Sequence, residues 1–441
     1  MKEQKKGISR RRFLGSTLAG AAGIFVLPRM VANMSSPTQN DLKFGFIGMG
    51  QQSMFLLSGF LQIPGVQVVA GCDVYGIKRK RFEKRVKAFY TKAGKEVKVD
   101  TYEKFEDLLA RPDINAVVIA VPDHSHARIA IAACKAGKDV YLEKPMTFTI
   151  KEGQELKKAV RQYNRIFGVG SQQRSDSGFQ HAVKLAQTGA LGKITKVNAY
   201  VGAPPTPYDL PEEPIPSDLN WDLWLGSLPK FIHFNNQLDP LITVDPDQDE
   251  KIWGAWRWYK EMGGGFTTDW GAHMFDIAQW GLGMDKNGPV EASPIGDGTE
   301  YMAFKYASGT IMTSEPFDDK KTKGVKFWGE LGWIEVARGY FKASDPKFMP
   351  PKAEAADPNV PYETKIPHQL NFIESVRTRK DPVVPVEIGH SSCTVCNLGN
   401  IACSLKRTVK WNPATETFVD DTDGAATKLL HYEYRKGYKL V

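Results

Sequence analysis

From residue 41 the chain alternates uninterrupted apolar runs with stretches of helical spacing. Lys43 to Gly48 is apolar and closed by glycine, and Gln52 to Leu61 repeats its apolar positions at helical intervals. Val66 to Cys72, ended by Asp73, reads as a second strand; Ile77 to Lys92 and Tyr102 to Leu109 read as helices. Ala116 to Val121 is a strand, His126 to Ala136 a helix stopped by Gly137, and Val140 to Glu143 a strand. Lys151 to Tyr163 is a helix, and Ile166 to Val169 a further strand. Apolar strands alternating with helices of about 10 to 15 residues predict a parallel, doubly wound sheet over residues 41–170.

Beyond residue 170 the texture changes. Ile194 to Val201 alternates like a half-exposed strand, and the Pro-rich stretch from Pro204 to Pro229 reads as loop. Tyr301 to Tyr306, Gly309 to Ser314, Gly324 to Trp328 and Trp333 to Ala337 are short alternating runs split by turns, which predict an antiparallel meander. Helical patterns return at His368 to Thr378 and Ile388 to Lys406. All 10 tryptophans follow residue 220, so residues 171–441 are expected to be a second domain of different construction.

Composition adds limits. With 42% hydrophobic and 24% charged residues the chain has ample core material and is not disordered overall. The longest uncharged apolar stretch, Leu14 to Leu27, is about 14 residues, short of the roughly 20 that span a bilayer. The net charge of +8 is concentrated in residues 1–36, where seven basic residues face one acid; the remainder is close to neutral, without the signature of a nucleic-acid partner. Ser9-Arg10-Arg11-Arg12-Phe13-Leu14 resembles a twin-arginine export signal, with Gly15 where lysine is usual. That resemblance implies export, to the periplasm or beyond, of a folded and commonly cofactor-loaded protein. Five cysteines include Cys393-x-x-Cys396, but no second pair completes a zinc site, and the motif lies in a helical run; buried structural thiols are expected.

Gly48-Met49-Gly50 follows the first strand and opens a helix, the context in which a glycine turn receives a pyrophosphate. Ser53 replaces the third glycine of the pattern. Asp73, at the end of the second strand, is placed to accept from ribose hydroxyls and favours NAD over NADP, although Lys78, Arg79, Lys80 and Arg81 keep NADP open.

Val121-Pro122-Asp123-His124-Ser125-His126, Ala136-Gly137-Lys138 and Glu143-Lys144-Pro145 resemble the Gfo/Idh/MocA oxidoreductases. The resemblance continues through Gln173-Arg174, Trp221-x-x-Trp224-Leu225-Gly226, Trp256-Arg257 and Gly263-Gly264-Gly265 to Asp269-Trp270-Gly271-Ala272-His273. It implies a Rossmann domain and then an α/β domain whose large, open, mostly antiparallel sheet faces substrate and often an oligomer partner. It implies that Lys144, Asp269 and His273 are catalytic. The cofactor contacts it suggests are Gly48, Met49, Gly50, Gln51, Gln52, Asp73, Val121, Pro122, His126, Glu143 and Lys144.

The residue chemistry fits these roles. Oxidising an alcohol needs a base for the hydroxyl proton, which an imidazole at position 273 supplies. Lys144 can donate to the oxygen as it gains negative charge. Asp269, His273 and Asp276 share a face if the segment is one helix; no further ligand completes a metal site there, and none is expected. Arg174, Arg257, Tyr259, Asp269 and His273 are the expected carbohydrate contacts. Three activities compete: a sugar or polyol oxidoreductase, an NAD-dependent glycosidase that oxidises its sugar transiently, and a non-catalytic sugar-binding relative.

Overall fold

The computed structural model describes residues 41–229, 232–240, 243–244, 252–351 and 366–440; the export signal expected at 1–36 lies outside them. The first domain is built on a six-stranded parallel sheet: β1 (Leu42–Ile47), β2 (Val66–Cys72), β3 (Asp100–Tyr102), β4 (Ala116–Ile119), β5 (Asp139–Leu142) and β6 (Phe167–Val169). The connecting helices are α1 (Gln51–Phe60), α2 (Gly76–Lys92), α3 (Phe105–Leu109), α4 (Asp123–Lys135) and α5 (Ile150–Gln162). Phe44, Phe46, Val117 and Val118 are wholly buried, as strands covered by helices on both faces require. The strand order is β3-β2-β1-β4-β5-β6, so the order reverses between β1 and β4. Their carboxyl ends open the crevice where such sheets take ligands.

Tyr102 departs from expectation. It pairs with Cys72 in edge strand β3, and α3 begins only at Phe105. A three-residue strand is too short to register as a period.

The second sheet has nine strands: β7 (Ile194–Tyr200), β8 (Glu291–Ile295), β9 (Tyr301–Lys305), β10 (Ile311–Thr313), β11 (Gly324–Gly329), β12 (Gly332–Ala337), β13 (Tyr340–Ala343), β14 (Val409–Asn412) and β15 (Thr417–Val419). It is not a simple meander. β7 inserts between β10 and β11, parallel to the first and antiparallel to the second. One face is covered by α6 (Ser177–Gln187) and two later helices, with Phe179, Phe275 and Phe304 in its core. The segment expected to form a single helix around Asp269 is broken at Trp270. The two pieces follow α7 (Trp221–Leu225) as α8 (Gly265–Asp269) and α9 (Gly271–Gly281). Gly265 opens α8 at φ +66°, where an added Cβ would stand 2.5 Å from the Pro205 nitrogen; only glycine fits there.

The last helices rejoin the first domain. Phe372 of α10 (Ile366–Thr378) sets its ring 5.6 Å from Tyr141 and 6.4 Å from Phe44. In α11 (Val386–Leu405), Val386, Ile388 and Cys393 belong to the Rossmann core, while Val395, Leu398 and Ala402 belong to the core of the second sheet. One helix therefore ties the two cores together. All five cysteines are buried and unbonded to one another, and burial pushes the Cys393 thiol up to about 11. Among the described residues no helix is long and apolar enough to cross a membrane.

Because Phe372 completes the Rossmann layer from about 200 residues downstream of β6, Phe372→Ala should cost about 3–5 kcal/mol of stability, the range for a buried aromatic lost to a cavity. Denaturant unfolding measures it, and a midpoint unchanged from wild type would show that α10 is peripheral.

Candidate active site

The crevice at the carboxyl end of β1 opens into a cavity of about 890 Å³, within the range of small-molecule sites. Gly48 turns the chain at φ +82°, and an added Cβ would lie 2.5 Å from the Ala120 carbonyl oxygen. At Gly50 nothing lies within 4 Å of a Cβ position, and no side chain caps α1, so its first-turn amides are open to an anionic ligand. The loop between these glycines is clamped on both sides. Asp73 accepts from Met49 N at 2.7 Å and Tyr75 N at 2.9 Å, while Arg81 donates to Met49 O at 2.6 Å. The Met49 side chain is core, so any contact from it is through backbone. Lys78 is paired with buried Asp239, and Arg79 donates to the Asp73 carbonyl at 2.5 Å. With Arg81 they are committed to protein groups, which removes most of the case for a 2′-phosphate. A dinucleotide fits this cradle.

Val121, Pro122, Gln51 and Gln52 line the same cavity. His126 does not, contrary to expectation. Its ring sits between the carbonyls of Pro145 (2.7 Å) and Val121 (2.9 Å), joining the two loops that end β4 and β5. Glu143 also lies behind the wall and meets the cavity through Gln52, whose Nε2 donates to it at 2.9 Å.

Lys144, expected to touch the cofactor, is likewise not among the residues lining the cavity; it donates to Asp269 twice, to the carboxylate at 2.8 Å and the carbonyl at 2.9 Å. Burial pushes the Asp269 carboxyl up, but the Lys144, Arg257 and Lys323 charges outweigh it and hold the group below its usual range. His273, one turn into α9, is buried; burial first, then Lys144 and Arg338, keep its imidazole neutral well below the ordinary value. Its Nε2 accepts from Arg338 at 3.2 Å, which leaves the proton on Nδ1. Arg257 belongs to both halves: it lines the cavity, stacks on Trp256 at 4.3 Å and stands 3.8 Å from the Asp269 carboxylate.

Two expected substrate contacts are misplaced. Arg174 is 1% exposed, held by Asp276 at 2.8 Å and Asp285 at 2.7 Å and laid over Trp280. It is a buried structural cation, and it also draws Asp276 away from His273. Tyr259 packs edge-on to Tyr208 inside an aromatic cluster with Trp221, Trp224 and Trp256. Three residues without a role in the sequence reading stand at the site: Asp123, whose carboxyl burial pushes up to about 8 against the charges of Arg257 and Lys144, and the cations Lys323 and Arg338. No motif marks the last two, which arrive from the second sheet.

Comparison with known proteins agrees with this architecture. Residues 42–171 match the model of the oxidoreductase family, NAD-binding Rossmann fold, and residues 206–440 its C-terminal alpha/beta domain. The chain belongs to the Gfo/Idh/MocA oxidoreductase family and its cofactor class is NAD. It is 30% identical over 165 residues to a glycosyl hydrolase family 109 protein of Shewanella amazonensis, covering 34% of this chain and 36% of that one. It is 29% identical over 159 residues to inositol 2-dehydrogenase of Salmonella paratyphi B, covering 36% and 45%. The chain thus matches less than half the length of these curated relatives. In fold it is similar to the WlbA dehydrogenase of Bordetella pertussis, solved with NADH and UDP-GlcNAcA (TM-score 0.62, 18% identity, 85% and 99% of the two chains). It is likewise similar to levoglucosan dehydrogenase, solved with NADH and levoglucosan (TM-score 0.60, 19% identity, 84% and 99%).

Two changes test the cradle. Gly48→Ala drives a methyl into the Ala120 carbonyl and should weaken NAD binding by about tenfold or more, as read by calorimetric titration. Asp73→Ala removes a charged acceptor for two loop amides and should weaken NAD binding by about tenfold or more. Equal affinities by calorimetry would dismiss the clamp.

Proposed function

We propose that the protein oxidises or reduces a hydroxyl-bearing carbon of a carbohydrate or polyol, with NAD held in the Rossmann crevice. The observation that carries this reading is the junction of Lys144, Asp269 and His273, linked to that crevice through Arg257, which lines it and stands 3.8 Å from the Asp269 carboxylate. When bound, the nicotinamide supplies the two-electron acceptor or donor. Burial and neighbouring cations keep the His273 ring neutral, and Nε2 takes the hydroxyl proton when the substrate hydroxyl displaces the Arg338 donor from its lone pair. Lys144 keeps hydrogen-bonding capacity beyond its two bonds to Asp269 and steadies the substrate oxygen as it gains negative charge. Asp269 fixes the ammonium and offers its second oxygen to a neighbouring hydroxyl. Arg257 bounds the sugar side of the crevice.

A second reading, an NAD-dependent glycosidase, is favoured by the likeness to glycosyl hydrolase family 109. It also suits the export signal read in residues 1–36. An enzyme outside the cytoplasm, where we infer this one acts, gains from a redox cycle that closes on itself without fresh cofactor. We further infer that copies associate through the open face of the second sheet, where Trp328 and Trp333 bracket Lys326 at 3.8 and 4.0 Å.

His273→Ala and Lys144→Ala should each slow single-turnover reduction of bound NAD by about 10²- to 10⁴-fold, with nucleotide content unchanged. A wild-type rate in His273→Ala would remove it from the chemistry. Because its pKa is depressed, the base form persists as the pH falls, and the wild-type rate should stay level from mildly alkaline pH through 6.5. An inflection at or above 6.5 would assign the base to another group. Release of aglycone from a glycoside panel without net reduced cofactor would establish the glycosidase reading instead.

A further inference from the structure

Three cationic side chains, Lys144, Arg257 and Lys323, act on the carboxylate of Asp269, and a fourth, Arg338, stands beside His273. Lys144 and Arg257 stand 2.8 and 3.8 Å from the carboxylate. Lys323 precedes β11 and Arg338 follows β12, and because Gly324 pairs with Ala337 the two come side by side at one end of the sheet. Both gather on Trp270, the break between α8 and α9. The Lys323 ammonium is 4.8 Å and the Arg338 guanidinium 4.7 Å from that ring's centroid, and Lys323 is also 4.0 Å from the Phe266 ring. Arg338 in turn donates to His273, so this pair borders the position of the reacting hydroxyl.

Lys323 is half-buried, yet among the described residues no carboxylate lies within 4 Å of its ammonium. Aromatic faces hold a cation less firmly than an anion does. Burial draws its pKa down, Arg338 draws it further, and Asp269 opposes both from a distance. Asp269 is already matched by Lys144. A neutral sugar would offer the Lys323 ammonium no counter-charge, whereas an oxyanion on the substrate would meet it.

We propose that Lys323 and Arg338 form an anion subsite beside His273, and that the substrate is an acidic carbohydrate bearing a carboxylate or a phosphate ester. This rests on the carbohydrate reading above and names its substrate class. The subsite binds the substituent that is not oxidised and so sets which hydroxyl faces His273. No bond is made or broken there.

The test is calorimetric titration of the NAD-loaded protein with D-glucuronate, D-glucose 6-phosphate and D-glucose. One or both anions should bind roughly tenfold tighter than glucose or better, and the advantage should shrink as salt rises from about 0.05 M to about 0.5 M. The tighter anion identifies carboxylate or phosphate as the group. Lys323→Gln should bring the ratio of affinities toward one, while Lys323→Arg, which restores the charge, should restore the ratio. Anions binding no tighter than glucose, or a preference untouched by Lys323→Gln in a protein with wild-type thermal unfolding, would overturn the subsite. The outcomes separate from those for catalysis: preferential anion binding with no cofactor reduction by any sugar keeps the subsite and sinks the oxidoreductase reading, and oxidation of neutral sugars without charge preference does the reverse.

Discussion

The bond from Lys144 to Asp269 is the constraint on which the site's geometry turns. Lys144 stands at the carboxyl end of β5 in the parallel sheet, and Asp269 closes α8 in the second domain. Donating to the side chain and to the carbonyl of the same residue, the ammonium fixes both the carboxylate and the end of the helix. That end is followed by Trp270, where the helix breaks, and α9 starts afresh with His273 close enough to feel the Lys144 charge. On one unbroken helix Asp269 and His273, four residues apart, would share a face; in the broken segment each has its own partner, Lys144 for Asp269 and Arg338 for His273.

Desolvation does the electrostatic tuning. His273, His126, His124 and His368 are all buried and all have depressed pKa values, so burial alone does not single out His273. The difference lies in their partners. His126 and His368 are bonded to backbone carbonyls, and His124 faces the Trp224 carbonyl, so these rings serve as struts between loops. The Nε2 of His273 instead accepts from the Arg338 guanidinium, so its lone pair faces a side-chain donor and not a backbone carbonyl. The same contrast separates the arginines: Arg174 is enclosed by two carboxylates, while Arg257 keeps one face on the cavity.

Much of the fold was legible because parallel strands buried on both faces read as continuous apolar runs. The parts that were not legible lacked such a signal. Strand β3 is three residues long, and β8 and β13 to β15 are short strands whose sequences alternate weakly. The position of β7 between β10 and β11 joins segments more than 100 residues apart, which no local pattern encodes. At the site, Gly48, Asp73, Lys144, Asp269 and His273 were singled out from motif and context; the structure sets Gly48 and Asp73 on the cavity and bonds Lys144 to Asp269. Arg174 and Tyr259 were misread because residue type says what a group can bind and nothing about whether it is enclosed. Lys323 and Arg338 carried no signal in the sequence: they are ordinary strand-end cations until the register of β11 on β12 sets them beside Trp270.

The cavity's walls bear on how such a site could work with a single trapped nucleotide. They come from the Rossmann loops, from Leu223 and Trp224 at α7, from Trp253, and from the chain's last residues, including Tyr438 and Leu440. That final segment is pinned where it crosses. Arg435 bonds to Asp222 at 2.7 Å, and Arg128 lies between the Tyr438 and Phe105 rings. Where such segments pack over a ligand, every bond or packed face that must open first slows its release. Slow exchange would handicap an ordinary dehydrogenase, which must swap its nicotinamide every turnover. It suits an enzyme that restores its cofactor within one catalytic cycle, and this is the property that the proposed export of the folded chain would demand.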